Sequence, residues 1–347
     1  MSAWSSQAAG GRVGPARSQG RACARRCVAP PRAGPPPPPP PPRISYNPLA
    51  AAVDLARARS THPSLCPADP YAELLVKAAH CEKEESPPPP PPSSSLPTSP
   101  ALDAAATAWI DTHALRAVDL VNLDVRADGV EYRQVLLISP GLDTRPFRLP
   151  WPEGGALQFF ELAPADCLAV SAAALKGAGV AVRRGCLLRG VVADVAAGDG
   201  AWVEGLAAAG FRGDRLSIVC FQAGTPGWGG LDRPALRTAL AAAARSSARG
   251  SFVFGDLPAW VGSRDQAADL LAEAGLLVGA LERPGESEEG SAGGWAEAGW
   301  VGGSGVPTTA DDRWFFAAQQ QGRSDAELDI LDQAEWAVDE DFDGHFS

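Results

Sequence analysis

The chain has 347 residues, with 30 Lys and Arg against 41 Asp and Glu, and a formal net charge of −11. That balance argues against a nucleic-acid partner held through its phosphates, and no uncharged apolar stretch is long enough to span a bilayer. Hydrophobic residues at 45% allow a full core, while 7 scattered cysteines and 4 dispersed histidines show no metal-ligand spacing, so no metal is expected.

Residues 1–46 read as a leader. No acid occurs before Asp54, while Arg12, Arg17, Arg21, Arg25, Arg26, Arg32 and Arg43 recur among Ser, Ala and Gly. This is the composition of an organelle transit peptide, with the chloroplast as expected destination and the mitochondrion or cytoplasm as alternatives. A biased tail carrying no address has the same composition. The tracts Pro35–Pro42 and Pro87–Pro92 favour extended polyproline spacers.

Residues 47–80 form an expected helical cap, with helices over Pro48–Ala58 and Asp69–Ala79. A Pro/Ser-rich insertion, 81–100, separates this cap from the main domain, 101–322. That domain opens with a helix over Leu102–Leu123, whose Ile110, Leu115 and Val118 can face a core. The apolar run Val135–Ile138 then suits a strand covered on both faces, and Ser139, Pro140 and Gly141 end it. Gly141 permits a turn and a close backbone approach to a ligand, and Asp143 and Arg145 follow it.

Twenty residues after Gly141, a second run, Ala156–Phe160, ends in Glu161. Nucleotide-binding α/β folds place a ribose-binding acid at that interval; a solvated strand-end glutamate has the same signature. A third strand over Gly190–Ala193 ends in Asp194, suited to an adenine amine or to a plain helix cap. A fourth, Leu216–Phe221, runs into Gln222, Ala223 and Gly224, where a glycine would suit a flat cofactor ring. Helices over Cys167–Leu175, Trp202–Ala209 and Arg233–Arg245 supply the crossovers. Strands over Ser251–Phe254, Leu276–Leu281 and Trp314–Ala318, a helix over Gln266–Ala274 and a glycine-rich connection, 284–312, complete the domain. The acidic tail, 323–347, reads either as an amphipathic helix with a solvated end or as an unstructured segment.

On several stretches the chain resembles S-adenosylmethionine-dependent methyltransferases of the leucine carboxyl methyltransferase type, particularly a plant and algal branch. They are NPLAAAVDLARARSTHPSLCPADPYAELL, ATAWIDT, VLLISPGLDTRPFRLPWP, FFELAP, GCLLRGVVADV, GFRGDRLSIVCFQAGTP and SFVFGDLPAW. The resemblance implies a Rossmann-like class I methyltransferase sheet of the α/β class. It would have seven strands, mostly parallel with the last antiparallel, and helices on both faces. It implies S-adenosylmethionine as cofactor and cofactor-binding places for Ser139, Gly141, Asp143, Arg145, Glu161, Leu162, Asp194 and Gln222. Gly141 with Asp143 would face the methionine part, Glu161 the ribose and Asp194 the adenine, and Phe221–Gly224 would line the methyl-transfer pocket. No catalytic side chain is assigned.

Relatives carry a cation for the cofactor's carboxylate where Ala108 stands, a loss worth about tenfold or more in affinity, for which Arg116 or Arg145 could substitute. A second acid of that stretch is replaced by Thr112, while Asp111 remains. Bacterial members have an acid where Gln222 stands, and the plant-like branch has glutamine. The expected activity is O-methyl transfer to a small molecule or a carboxylate. The alternative is a degenerate, non-catalytic cofactor-binding or scaffold protein. A nicotinamide dehydrogenase would need a three-glycine fingerprint that SPGLDTR lacks.

Overall fold

A computed structural model describes residues 48–61, 69–81, 100–128, 134–152, 157–197, 200–224, 231–283 and 313–331, all within the unit 43–347. The expected leader, both proline tracts, residues 82–99 of the insertion and the 284–312 connection lie outside the described residues.

The strands are β1 (Gln134–Ile138), β2 (Gln158–Ala163), β3 (Leu187–Val192), β4 (Ser217–Gln222), β5 (Phe252–Leu257), β6 (Leu276–Glu282) and β7 (Trp314–Gln320). They form one sheet in the order β3-β2-β1-β4-β5-β7-β6. β7 runs antiparallel to both its neighbours and the other pairs are parallel, so the expected class I methyltransferase sheet is present. β1 has β2 on one side and β4 on the other. The chain thus reverses its direction of winding at β1, and in open α/β sheets ligands bind outside the carboxyl ends of the strands at such a point.

The apolar strand runs follow from burial on both faces. Leu136, Ile138, Phe160, Leu162, Val219 and Phe221 pack with Leu206, Leu236, Leu240, Leu270 and Leu271. Those leucines come from α6 (Trp202–Ala208), α7 (Arg233–Arg245) and α8 (Arg264–Glu273). The alternate residues Val135, Leu137, Phe159, Ile218 and Cys220 meet Ile110, Ala114 and Val118 of α3 (Pro100–Asp128) on the other face. Each buried Val, Leu, Ile or Phe among them contributes about 1.5–3 kcal/mol. α1 (Pro48–Thr61), α2 (Ala72–Cys81) and α5 (Ala165–Gly177) share a third cluster through Leu49, Val53, Leu75, Cys167 and Val170.

Some elements differ from expectation. β2 continues through Glu161 to Ala163, because parallel pairing to Leu137 on one side and Gly190 on the other carries the ladder past the charged residue. β3 begins at Leu187, before the expected Gly190; as an edge strand it leaves Leu187 and Val192 exposed and shows no continuous buried run. α4 (Arg145–Arg148) is a single turn that no periodicity announces, with a proline in its first turn. In the tail, residues 325–331 form a helix, α9, opened by a capping box in which Ser324 and Glu327 satisfy each other's amides.

Candidate functional site

The turn after β1 is held almost entirely by buried polar groups. Ser139 Oγ accepts the Gly141 amide at 3.3 Å and lies 3.5 Å from Asp143 Oδ2. Gly141 has φ +114°, and a Cβ there would lie 2.8 Å from Cys167 Cβ and 3.3 Å from Ala163 Cβ. The glycine is therefore required by its own conformation and by the packing of the turn on α5 and β2. Leu142 is also left-handed, with φ 55°, a conformation that costs a non-glycine residue about 1–2 kcal/mol. Its side chain is fully buried, and its carbonyl accepts from Arg59 Nη2 at 2.8 Å.

Arg145, buried at the start of α4, engages three elements at once. Nε donates to Asp111 of α3 at 2.6 Å, Nη1 to Asp143 at 2.5 Å and Nη2 to Gln222 Oε1 at the end of β4 at 2.9 Å. Gln222 Nε2 in turn donates to Thr107 of α3 at 2.9 Å. Arg148 pairs with the second Asp111 oxygen at 2.5 Å, and its Nε donates to Thr144 Oγ1 at 3.0 Å. Thr144 Oγ1 donates to Asp69 Oδ2 at 2.5 Å, and the same oxygen receives Arg59 Nε at 2.8 Å. Burial pushes the Asp143 carboxyl up, but the guanidinium of Arg145 and those of Arg59 and Arg148 carry it below the ordinary carboxylate range. The two acids beside Arg145 likewise hold its guanidinium more firmly charged despite burial. Buried pairs of this kind are costly to assemble and more costly to break one partner at a time.

Glu161 is buried in β2, and its Oε1 accepts the Asp143 amide at 3.2 Å. Burial first, then the Asp143 charge, push its carboxyl up to about 8. Among the described residues the Asp143 amide is the hydrogen bond that engages this carboxyl, and it falls on Oε1, which leaves Oε2 for another donor.

The structure thus gathers Ser139, Gly141, Asp143, Arg145, Glu161 and Gln222 about one turn, with the Arg145 and Gln222 side chains spent on bracing it. The Leu162 side chain lies on the opposite face, in the cluster under α6 to α8, so that only its backbone lies toward β1. Asp194 is exposed just beyond β3, two strands from β1. Ala108 is buried in α3 within the core, so no cation occupies its place. Gly224 has a packing reason of its own. Its amide donates to Asp256 at 3.0 Å, and a Cβ there would run into the Asp256 carboxylate and come within 2.7 Å of Arg313 Cδ.

Sequence reasoning missed Arg59, Asp69 and Thr144, and also Asp103 and Thr107, which stand in one row with Asp111, the acid that remains of the family stretch. The row has a signal, since residues four apart share one helix face. Asp103 meets Arg313 at 2.6 Å before β7, Thr107 meets Gln222 at the end of β4, and Asp111 meets Arg145 after β1. Among the described residues no group of His, Cys, Asp and Glu is placed to hold a metal, and no helix is long and apolar enough to cross a membrane.

The sequence model of the leucine carboxyl methyltransferase family matches residues 49–225. A "Putative S-adenosyl-L-methionine-dependent methyltransferase" of Mycobacterium sp. (strain KMS) is 47% identical over 57 residues, 16% of this chain and 21% of the relative. A protein of the same description from Saccharopolyspora erythraea is 34% identical over 166 residues, 47% of this chain and 51% of the relative. "O-methyltransferase 1, chloroplastic" of Oryza sativa subsp. japonica is 28% identical over 142 residues, 40% of this chain and 37% of the relative. The chain therefore spans between 21% and 51% of the length of these three relatives.

Proposed function

Since the chain belongs to the leucine carboxyl methyltransferase family, we propose that it transfers a methyl group from S-adenosylmethionine to an oxygen of a small molecule or a carboxylate. One observation carries the reading: Glu161, buried in β2 beside the sheet's switch point, spends one oxygen on the Asp143 amide and keeps the other for a donor. A ribose hydroxyl is a donor of the right kind.

When bound, the cofactor supplies an electrophilic methyl carbon on a positively charged sulfur. The residues of the chain hold, orient and exclude water, and proximity of that kind supplies several kcal/mol, up to about 7–11, of such a barrier. Glu161 would grip the ribose, the 139–143 backbone would face the methionine part, and Asp194 would approach the adenine. Arg145, Arg148 and Asp111 keep that backbone in one conformation. A carboxylate acceptor needs no general base. The histidines among the described residues, His80 and His113, contact Arg57 and the Trp109 carbonyl rather than this network. The chloroplastic O-methyltransferase among the relatives favours transfer to oxygen, and the acid-free, arginine-rich composition of residues 1–53 motivates a plastid address.

The test incubates the full chain with methyl-labelled S-adenosylmethionine and panels of small carboxylic acids, phenols and alcohols. Label released by mild base marks a methyl ester and supports the carboxylate reading. Base-resistant label marks an ether and moves the acceptor to a hydroxyl. Cofactor binding with no label on any acceptor favours the degenerate protein. A fluorescent fusion of residues 1–53 that stays outside plastids would contradict the address.

A further inference from the structure

We infer that Arg59, in the amino-terminal helix α1, is a positioning residue of the cofactor turn, so that docking of the α1–α2 cap and binding of the cofactor are thermodynamically linked. The inference rests on the cofactor reading above and goes beyond it, since it gives the amino-terminal cap a part in cofactor affinity.

The geometry carries the argument. Arg59 is 3% exposed and bridges two parts of the molecule, with Nε on Asp69 and Nη2 on the Leu142 carbonyl, both at 2.8 Å. Leu142 is the one non-glycine residue with positive φ among the described residues, and it lies between Gly141 and Asp143, whose amide meets Glu161. A left-handed leucine persists only where its surroundings hold it there. Two features hold this one: the Arg59 hydrogen bond to its carbonyl, and the burial of its side chain with Leu49, Ala52 and Val53 of α1. Asp69 completes the clamp. Its Oδ1 accepts the amides of Tyr71 and Ala72 at the start of α2, and its Oδ2 takes Arg59 and Thr144. The cap thereby grips the turn at residues 142 and 144, on either side of Asp143. Release of that grip lets Leu142 relax toward ordinary φ, which turns the Leu142–Asp143 peptide and withdraws the Asp143 amide from Glu161. A ligand that needs this arrangement must then restore it at the expense of affinity.

Calorimetry of the full chain with S-adenosylmethionine and its demethylated product tests the inference in wild type, Arg59→Ala, Arg59→Lys and the double variant Arg59→Ala with Leu142→Gly. Arg59→Ala is expected to weaken both ligands about tenfold. The double variant should regain part of that loss, because glycine takes the left-handed conformation without a partner. Lysine keeps a charge beside Asp69 but cannot span both acceptors. Arg59→Lys should therefore stay folded, bind more weakly than wild type, and exchange the amides of 141–144 faster while those of α1 stay as protected as before. If Arg59→Ala does not fold, the lysine variant decides. Arginine-free variants that fold and bind like wild type, or a double variant no tighter than Arg59→Ala, would overturn the inference alone. A wild-type chain that binds neither ligand would overturn the cofactor reading and the inference together.

Discussion

The Asp143 amide donates to Glu161 Oε1 at 3.2 Å, and this bond joins the turn after β1 to the strand beside it. It also leaves a buried carboxylate with burial and a neighbouring acid against its ionisation, and pH dependence follows from that.

In the folded chain the Glu161 carboxyl is raised from 4.5 to about 8. Between those values the folded state holds a proton that the unfolded state has lost, so this group's contribution to stability declines as pH rises through that window. Glu161→Gln keeps the shape and removes the titration. Its melting temperature should gain on that of wild type as pH is raised from about 5 to about 9. Cofactor binding should respond in the opposite sense, because the ionised carboxylate is the better acceptor for ribose hydroxyls. Wild-type affinity should increase toward pH 8 and level off, and that of the variant should stay flat. Parallel melting curves for the two proteins would contradict the burial argument.

Asp111 receives both arginines of α4, one on each oxygen. Asp111→Ala leaves two buried guanidiniums short of a partner and should cost about 3–5 kcal/mol of folding stability, read as a lower urea midpoint. A loss below about 1 kcal/mol, typical of exposed pairs, would mean that the network is solvated in solution.

Gly141→Ala should destabilise the fold by at least about 2 kcal/mol, from a positive φ and from contact with Cys167 Cβ. Since the clash is with Cβ, adding Cys167→Ala should not restore stability. Restoration would place the conflict at the sulfur instead.

Asp194 is exposed. Asp194→Ala should leave the chain folded and weaken the cofactor and its product alike. Equal affinity in the variant would remove Asp194 from the adenine side.

Much of the sheet was legible because burial on both faces writes an apolar run into β1, β4 and most of β2. The Gly141 and Glu161 pair was legible as an interval, and the structure joins them through Asp143. The reasons were harder to read. For Gly141 the need for a turn is legible and its φ of +114° agrees, but the contact with Cys167 of α5, which occupies the space a side chain would need, is not. The bracing network joins residues 34, 77 and 83 positions apart, and such pairings leave no local pattern in a sequence. β3 escaped accurate bounds because an edge strand need not be apolar throughout.

The most direct test is calorimetry of the full chain with S-adenosylmethionine, comparing wild type with Glu161→Ala. Wild type should bind, and the variant should remain folded and bind more weakly by about tenfold or more, the loss expected when a buried carboxylate acceptor is removed. Binding unchanged in the variant, or no binding by wild type, would contradict the assignment of this strand-end crevice to the cofactor.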